Sequence, residues 1–231
     1  MQIAGLQKSS FVDYPGQPCA VVFTPRCNMN CYYCHNAHIL FGSPKLIPEE
    51  EVLSFLQKRS GLLKAATVSG GEPTLQSDLA GFIQKIRVLG YRIKLDTNGL
   101  KPQVLGQLMR DGLVDYVAMD IKAPLDKYDQ ITRTHNDLSA IKKSIAILRS
   151  GAVPHEFRTT FAPDLTAEDV VRAAELVRGT ERYYLQQYRP RDESDPKPHP
   201  PSYVDKAAEQ IRAAIGVCTL RGLGDRGEIT G

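Results

Sequence analysis

Residues 20–36 read AVVFTPRCNMNCYYCHN, a short apolar run followed by three closely spaced cysteines. The run 20–24 is rich in β-branched residues, which predicts a strand buried on both faces, as in a parallel sheet. Cys27, Cys31 and Cys34 cannot share one straight strand, because alternate side chains there point to opposite faces. We therefore place them on a loop, where three thiolates can converge on one inorganic centre.

The spacing of the cysteines alone does not decide which metal centre they bind. Soft thiolate ligands favour iron–sulfur or zinc over magnesium or calcium. A cubane cluster usually takes four thiolates, one for each iron, and this loop offers three. If a cubane binds, one iron lacks a protein ligand and is open to a substrate or cosubstrate. Alternatively, His35 or His38 completes a tetrahedral structural zinc site with the cysteines.

Two other uses of cysteine fit this chain less well. Residues 31–35 read CYYCH, the attachment pattern of c-type haem, but that chemistry belongs outside the cytoplasm and no basic-then-apolar leader precedes the motif. Disulfides are not expected, because the five cysteines are an odd number and nothing indicates secretion. We therefore expect a cytoplasmic protein.

Composition excludes further classes. The 29 Lys and Arg residues exceed the 26 Asp and Glu residues by only three, which does not indicate a nucleic-acid partner. No apolar run approaches the roughly 20 residues that a membrane-spanning helix needs, so we expect no membrane partner. We predict one domain over residues 1–231, with a core at about 18–190 and a C-terminal loop, helix and tail at 191–231.

Strand-like and helix-like segments alternate along the chain, which predicts an α/β fold with a parallel sheet. The predicted strands are 20–24, 65–68, 91–95, 116–119, 155–161 and 183–187. The predicted helices are 48–59, 78–89, 102–110, 138–149, 167–177 and 203–215. A partial six-unit barrel and an open doubly wound sheet both fit this periodicity.

Four polar motifs each follow a predicted strand. They are the cysteine loop, Gly70-Gly71-Glu72-Pro73, Asp96-Thr97-Asn98-Gly99 and Asp120-Ile121-Lys122. Because the C-terminal ends of parallel strands lie at one edge of the sheet, we expect the four motifs to surround a common cavity.

The pattern C-x3-C-x2-C followed by His-Asn resembles the cluster loop of the radical S-adenosylmethionine enzymes. VDYPG at 12–16, VVFTPRCNMNCYYCHN at 21–36 and SGGEPTLQ at 69–76 are similar to the enzymes that activate glycyl-radical enzymes, above all to the anaerobic ribonucleoside-triphosphate reductase activating proteins. The resemblance runs from about Gly5 to Arg189. It implies a partial (β/α)6 TIM-type barrel with parallel strands.

The resemblance also implies cofactors and the residues that hold them. A 4Fe–4S cluster on Cys27, Cys31 and Cys34 leaves one iron open for the methionyl group of S-adenosylmethionine. The amino group of that methionyl lies at the Gly-Gly-Glu-Pro motif, where the glycines let a ligand approach the backbone. Asp96 and Asp120 imply a monovalent cation beside the cosubstrate. The residues implied to bind the cosubstrate are Tyr33, His35, Gly70, Gly71, Glu72, Pro73, Asp96, Asn98, Asp120, Lys122, Arg158 and Arg189.

Some of these residues could instead have a purely structural role. Asp96 could cap the next helix, and Arg158 could form a salt bridge at the barrel rim. Arg189 stands where a pyruvate formate-lyase activating enzyme has histidine, which departs from that pattern.

The implied reaction is reductive cleavage of S-adenosylmethionine to a 5′-deoxyadenosyl radical, which generates a glycyl radical on anaerobic ribonucleoside-triphosphate reductase. Cys19 and Cys218 cannot build a second cluster, so the electron would come from flavodoxin or ferredoxin. Two alternatives are a radical enzyme that acts on another glycyl-radical enzyme, a small molecule or a peptide, and a zinc-stabilised binding module that is not an enzyme.

Overall fold

The computed structural model describes residues 1–40, 44–151 and 153–223, and its strands form one sheet in chain order. Strands β2 to β8 are parallel, and β1 pairs with β2 in the antiparallel sense. The strands are β1 Gly5–Ser10, β2 Cys19–Thr24, β3 Ala65–Gly70, β4 Arg92–Thr97, β5 Tyr116–Asp120, β6 His155–Phe161, β7 Tyr183–Gln187 and β8 Thr219–Arg221.

Helices connect the parallel strands, as the alternating sequence pattern predicts. They are α1 Ala37–Leu40, α2 Glu49–Arg59, α3 Leu79–Val88, α4 Pro102–Arg110, α5 Tyr128–Thr132, α6 Leu138–Arg149, α7 Ala167–Glu175 and α8 Pro201–Ile215. Helix α7 begins with a reciprocal capping box between Thr166 and Asp169. Within the described ranges, no helix is both long enough and apolar enough to cross a membrane.

The order of the strands distinguishes between the two predicted architectures. The six predicted strands correspond to β2 to β7, which are hydrogen-bonded neighbours in chain order. A doubly wound sheet would reverse its strand order at a switch point, whereas a barrel adds each strand beside the previous one. The predicted partial barrel with parallel strands is therefore confirmed.

The two faces of the sheet differ in polarity. In β4, Ile93 and Leu95 belong to the same core cluster as Phe82 of helix α3. The alternate side chains Lys94 and Asp96 point to the inner, concave face, because successive strand residues face opposite ways. The outer face of the sheet therefore packs its apolar residues against the helices, and the inner face of the barrel carries charged side chains.

Strands β1 and β8 were not predicted. The sequence of β1, GLQKSS, is mostly polar and partly exposed, as an edge strand can be, so it lacks the apolar signal of the central strands. Strand β8 has only three residues. It lies in the segment that we predicted as a C-terminal loop, helix and tail, of which residues 224–231 fall outside the described part of the chain.

A buried ion pair attaches β8 to the barrel. Glu156 of β6 is fully buried and accepts hydrogen bonds from both terminal nitrogens of Arg221, at 2.8 and 3.2 Å, and from the Tyr116 hydroxyl at 3.0 Å. The Arg221 guanidinium stacks on the Tyr184 ring at 3.3 Å. Because the Arg221 guanidinium and the Tyr116 hydroxyl satisfy the Glu156 carboxylate, removing the guanidinium leaves a buried charge without its ion-pair partner.

We expect Arg221→Met to lower the free energy of unfolding by about 3 kcal/mol, because it leaves the buried Glu156 carboxylate without its cationic partner. The double variant Glu156→Met/Arg221→Met should recover most of this loss. Urea unfolding measures both. The control is Arg172→Met, which removes an exposed partner of Asp126 and should change little. Equal losses in the single and double variants would contradict the account.

Candidate active site

A cavity of about 300 Å³ lies at the C-terminal ends of the parallel strands. It brings together all four motifs that follow predicted strands. The predicted residues that line it are Cys27, Cys31, Tyr33, Cys34, His35, Gly70, Gly71, Glu72, Asp96, Asn98, Asp120, Lys122 and Arg158. Residues from strand ends far apart in the sequence therefore share one site.

Two predicted residues do not line this cavity. Pro73 is buried at the first position of a short 3-10 turn, Pro73–Leu75, just behind the glycines. Arg189 lies beside Gly222, where a Cβ would come within 3.5 Å of its guanidinium nitrogens. The structure thus places Arg189 next to the C-terminal segment rather than at the cavity wall.

The cysteine sulfurs lie in a mostly buried loop with donors close by. The Met29 backbone N–H donates to the Cys27 sulfur at 3.4 Å, and the Asn98 side-chain amide lies 3.7 Å from it. Burial, with the nearby charge of Glu72, raises the pKa of Cys27 to about 12, and burial likewise raises the pKa of Cys31. A bound metal centre that compensates negative charge is therefore needed to hold these sulfurs as thiolates.

The arrangement bears on the choice between zinc and a cluster. All five cysteines are free thiols in the structure. Across residues 1–40, 44–151 and 153–223, no three His, Cys, Asp or Glu side chains are placed to hold one metal ion together. A structural zinc needs four donors around one atom, whereas a cubane takes its thiolates on separate irons. Three thiolates that line one cavity together with the glycine motif match the ligand set of a cubane with one open iron.

Backbone packing explains the two glycines. Arg26 has a left-handed φ of 66°, and its carbonyl oxygen accepts the Glu72 N–H at 2.8 Å. A Cβ on Gly71 would overlap that carbonyl, and a Cβ on Gly70 would overlap the backbone of Thr24. The sequence suggested that the glycines leave room for a ligand. In the structure the side of each glycine where a Cβ would stand packs on the backbone of residues 24–26, and both glycines also line the cavity.

Glu72 joins the ends of β3 and β4. Its fully buried carboxylate accepts hydrogen bonds from the Thr97 hydroxyl at 2.8 Å, from the Asn98 N–H at 2.7 Å and from the N–H and hydroxyl of Thr74. Burial raises the pKa of Glu72, and these donors oppose the rise. Donors of the same chain thus satisfy the Glu72 carboxylate. These hydrogen bonds hold the motif after β3 against the motif after β4.

Asp96 and Asp120 converge, as predicted, on the concave face. Arg158 bridges them, with its Nε 2.8 Å from an Asp120 oxygen and its Nη1 3.5 Å from an Asp96 oxygen. Lys94 contacts Asp96 at 3.0 Å, and Lys122 contacts Asp120 at 2.9 Å. Burial would raise the pKa of both carboxyls, but these cations outweigh it and lower each pKa. Three basic side chains therefore compensate two carboxylates, and the implied monovalent cation stays a prediction.

Tyr33 is nearly fully buried in the cavity wall. Its ring packs edge-on against Tyr32, with centroids 5.3 Å apart. Its hydroxyl has no hydrogen-bond partner among the described residues. A buried hydroxyl without a partner is costly, so this group fits a site that a polar ligand completes.

Sequence reasoning missed several residues of the site. Lys94 is 3% exposed and contacts both Asp96 and the backbone carbonyl of Asp13. Asn36 donates to the Gly70 carbonyl at 3.1 Å, which fixes the end of the cysteine loop on β3. The alternation of Arg92, Lys94 and Asp96 with apolar residues could have revealed a polar inner face. Nothing local in the sequence reveals the Asn36 contact.

Gly71→Ala should disrupt both the cysteine loop and the ligand site, because the added methyl meets the Arg26 carbonyl. We expect iron bound after anaerobic reconstitution to fall well below the wild-type level. The matched control is Gly81→Ala in helix α3, where nothing lies within 4 Å of the new methyl and stability should rise by roughly 0.5–1 kcal/mol. Wild-type iron content in Gly71→Ala would show that the loop packing is unimportant.

Asp120→Asn should lower the free energy of unfolding by about 3 kcal/mol at pH 7, because it leaves Lys122 without its carboxylate. The native pKa of Asp120 lies below its ordinary value of 3.8. The stabilisation is therefore present above about pH 4 and is lost as the pH falls, so the cost of the variant should shrink in acid. Urea unfolding of the metal-free protein at several pH values tests this, with the exposed Asp126→Asn as control. A cost that does not change with pH would contradict the charge assignment.

Comparison with known proteins identifies related sequences and folds. The model of the radical SAM superfamily matches residues 21–177. A protein of Methanocaldococcus jannaschii that is named as a glycyl-radical enzyme activating enzyme is 35% identical over 199 residues, which cover 84% of this chain and 82% of that protein. A Pyrococcus abyssi protein named as a GTP 3′,8-cyclase is 33% identical over 127 residues, or 52% of this chain and 41% of that protein.

Among solved structures, Streptococcus suis SuiB bound to S-adenosylmethionine has a similar fold. The TM-score is 0.67 at 11% identity, and the match covers 87% of this chain and 52% of SuiB. At this identity the likeness concerns the fold alone.

Proposed function

Because this chain belongs to the radical SAM superfamily, we propose that it activates a glycyl-radical enzyme, and that this partner is anaerobic ribonucleoside-triphosphate reductase. The chain is an enzyme that uses a 4Fe–4S cluster and S-adenosylmethionine. Cys27, Cys31 and Cys34 would hold the cluster, which would supply the one electron for reductive cleavage of S-adenosylmethionine to methionine and a 5′-deoxyadenosyl radical that takes one hydrogen atom from the substrate.

The choice of substrate rests on how much of each relative the sequence match covers. The match to the archaeal relative named as an activating enzyme extends over more than four fifths of both chains. The match to the cyclase extends over about half of this chain and less than half of that protein. A shared activity is better supported by the longer match, because it takes in most of both proteins. The ribonucleotide reductase as partner rests on the sequence motifs at 12–16, 21–36 and 69–76.

We assign the cluster to Cys27, Cys31 and Cys34, whose sulfurs line the cavity that also holds the glycine motif. In this assignment Gly70 and Gly71 present their backbone to the methionyl group, with Glu72 and Pro73 fixing that backbone from behind. Lys122 supports the bound carboxylate of the cosubstrate, since its ammonium lies in the cavity beside Asp120.

The remaining cavity residues orient the adenosyl part and exclude water. Tyr33 offers a buried ring and an unpartnered hydroxyl, and Asn98 offers an amide that already contacts the Cys27 sulfur. His35 and Arg158 also lie in the cavity wall. Exclusion of water matters because a primary carbon radical is quenched by stray hydrogen donors.

The electron comes from an external donor, flavodoxin or ferredoxin, in this proposal. The remaining two cysteines are buried away from the cavity wall: Cys19 packs with Val21 and Tyr116, and Cys218 lies in the main core. They cannot supply ligands for a second cluster. Such a reaction requires a reducing compartment, which agrees with the cytoplasmic location that we expect.

Anaerobic reconstitution tests the cluster assignment. We expect the Cys19→Ala/Cys218→Ala double variant to bind about four irons per chain, as a cubane requires. Each single alanine variant of Cys27, Cys31 or Cys34 should lose most of the iron and all cleavage of S-adenosylmethionine. Zinc in place of iron in the wild-type protein, or iron loss in the double variant, would refute the assignment.

Electron paramagnetic resonance tests the function itself. The reconstituted enzyme, S-adenosylmethionine, a chemical reductant and the anaerobic ribonucleotide reductase of the same organism should give the doublet of a glycyl radical. In a parallel reaction, GTP is supplied in place of the reductase. A cyclised nucleotide in that reaction, with no glycyl radical in the first, would favour the cyclase activity instead.

A further inference from the structure

Most polar side chains that line the cavity are occupied by partners within the chain. Ser69 binds Asp96, Asn36 binds the Gly70 carbonyl, and Glu72 is saturated by its four donors. Two polar side chains on the wall formed by β6 and β7 differ. The Thr160 hydroxyl and the Gln186 carboxamide line the cavity and make no hydrogen bond to any residue that the structure describes.

These two side chains lie next to each other. Thr160 and Gln186 are direct partners in the parallel register of β6 and β7. Their sequence neighbours point the other way: Phe161 is buried in the core, and the Gln187 amide donates to the His199 carbonyl at 2.9 Å. The strand alternation therefore fixes Thr160 and Gln186 on the concave face. In strand order they lie at the opposite end of the cavity wall from the cysteine loop after β2.

The chemistry of the pair suits a neutral peptide. A carboxamide presents one acceptor and an N–H donor side by side, which complements the N–H and C=O groups of a peptide backbone. The three basic groups of the wall, Lys94, Lys122 and Arg158, are already paired with Asp96 and Asp120. Thr160 and Gln186 themselves carry no charge, and the backbone of a peptide needs none from them.

We propose that Gln186 and Thr160 are substrate contacts that bind the peptide units on either side of the reacting glycine, an inference that rests on the proposed function. Glycine has no side chain, so a site that selects one glycine must bind its backbone. One hydrogen atom moves from the glycine Cα to the 5′ carbon, which yields 5′-deoxyadenosine and leaves one unpaired electron on the glycine. No oxidant beyond S-adenosylmethionine and its one-electron reductant is required.

The test measures coupling, the amount of glycyl radical formed per 5′-deoxyadenosine released. Gln186→Leu removes the amide at nearly constant size, and Thr160→Val removes the hydroxyl at constant shape in a strand that favours valine. We expect each variant to lower the coupling ratio about tenfold, as the loss of one or two hydrogen bonds predicts. The substrate is the anaerobic ribonucleotide reductase, with the radical measured by paramagnetic resonance and the nucleoside by chromatography.

Two further variants separate a contact from a structural effect. Thr160→Ser restores the hydroxyl and should recover most of the coupling. Gln84→Leu makes the same chemical change as Gln186→Leu on the exposed face of helix α3 and should leave the coupling at the wild-type value. Iron content and urea unfolding of every variant are compared with the wild type.

The outcomes are distinct. Wild-type coupling in Gln186→Leu and Thr160→Val would overturn the inference while the proposed function stands. A parallel fall of nucleoside and radical, with an unchanged ratio, would also overturn it, because the residues would then support the cosubstrate site. If the wild-type enzyme cleaves S-adenosylmethionine but forms no radical on the reductase, the proposed function fails and the inference fails with it.

Discussion

The contact between the Arg26 carbonyl and the backbone of Gly71 and Glu72 is the constraint on which the site depends. Arg26 adopts a left-handed conformation that is unfavourable for a residue with a side chain, and its carbonyl accepts the Glu72 N–H. No Cβ fits at Gly71 against this carbonyl. The cysteine loop and the end of β3 are therefore in direct backbone contact, so the motif proposed to hold the cluster and the motif proposed to hold the cosubstrate form one unit. Glu72 extends this unit to β4 through Thr97 and Asn98.

The charges of the concave face form a second interdependent group. Lys94, Arg158 and Lys122 alternate with Asp96 and Asp120 around the ends of β4, β5 and β6. Charges in a partly buried site are tolerated only when they are paired, and each of these has a partner within 3.5 Å. This arrangement supplies a polar wall in which three basic groups face two carboxylates. It also explains why a strand in the middle of the sheet carries a lysine that is 3% exposed.

The central part of the fold could be predicted from the sequence, because apolar β-branched strands alternate with amphipathic helices there. The polar motifs after β2, β3, β4 and β5 also revealed the cavity, since parallel strands must end at one edge. Strands β1 and β8 could not be predicted: one is polar and the other has three residues held by the distant Glu156. Arg189 lies beside Gly222 and not in the cavity wall, so its contact with the cosubstrate stays a prediction. The sequence also could not predict why a side chain is excluded at Gly71, since the Arg26 carbonyl is distant in sequence and approaches this glycine only in the folded chain.

In the proposed function, the cavity delivers a radical to a glycine of a partner enzyme. The most direct measurement uses anaerobic ribonucleotide reductase whose glycine residues carry deuterium at Cα. We expect the 5′-deoxyadenosine released in the first turnover to gain one deuterium, seen by mass spectrometry, in step with the appearance of the glycyl radical. Release of 5′-deoxyadenosine without deuterium, at an undiminished rate, would contradict it.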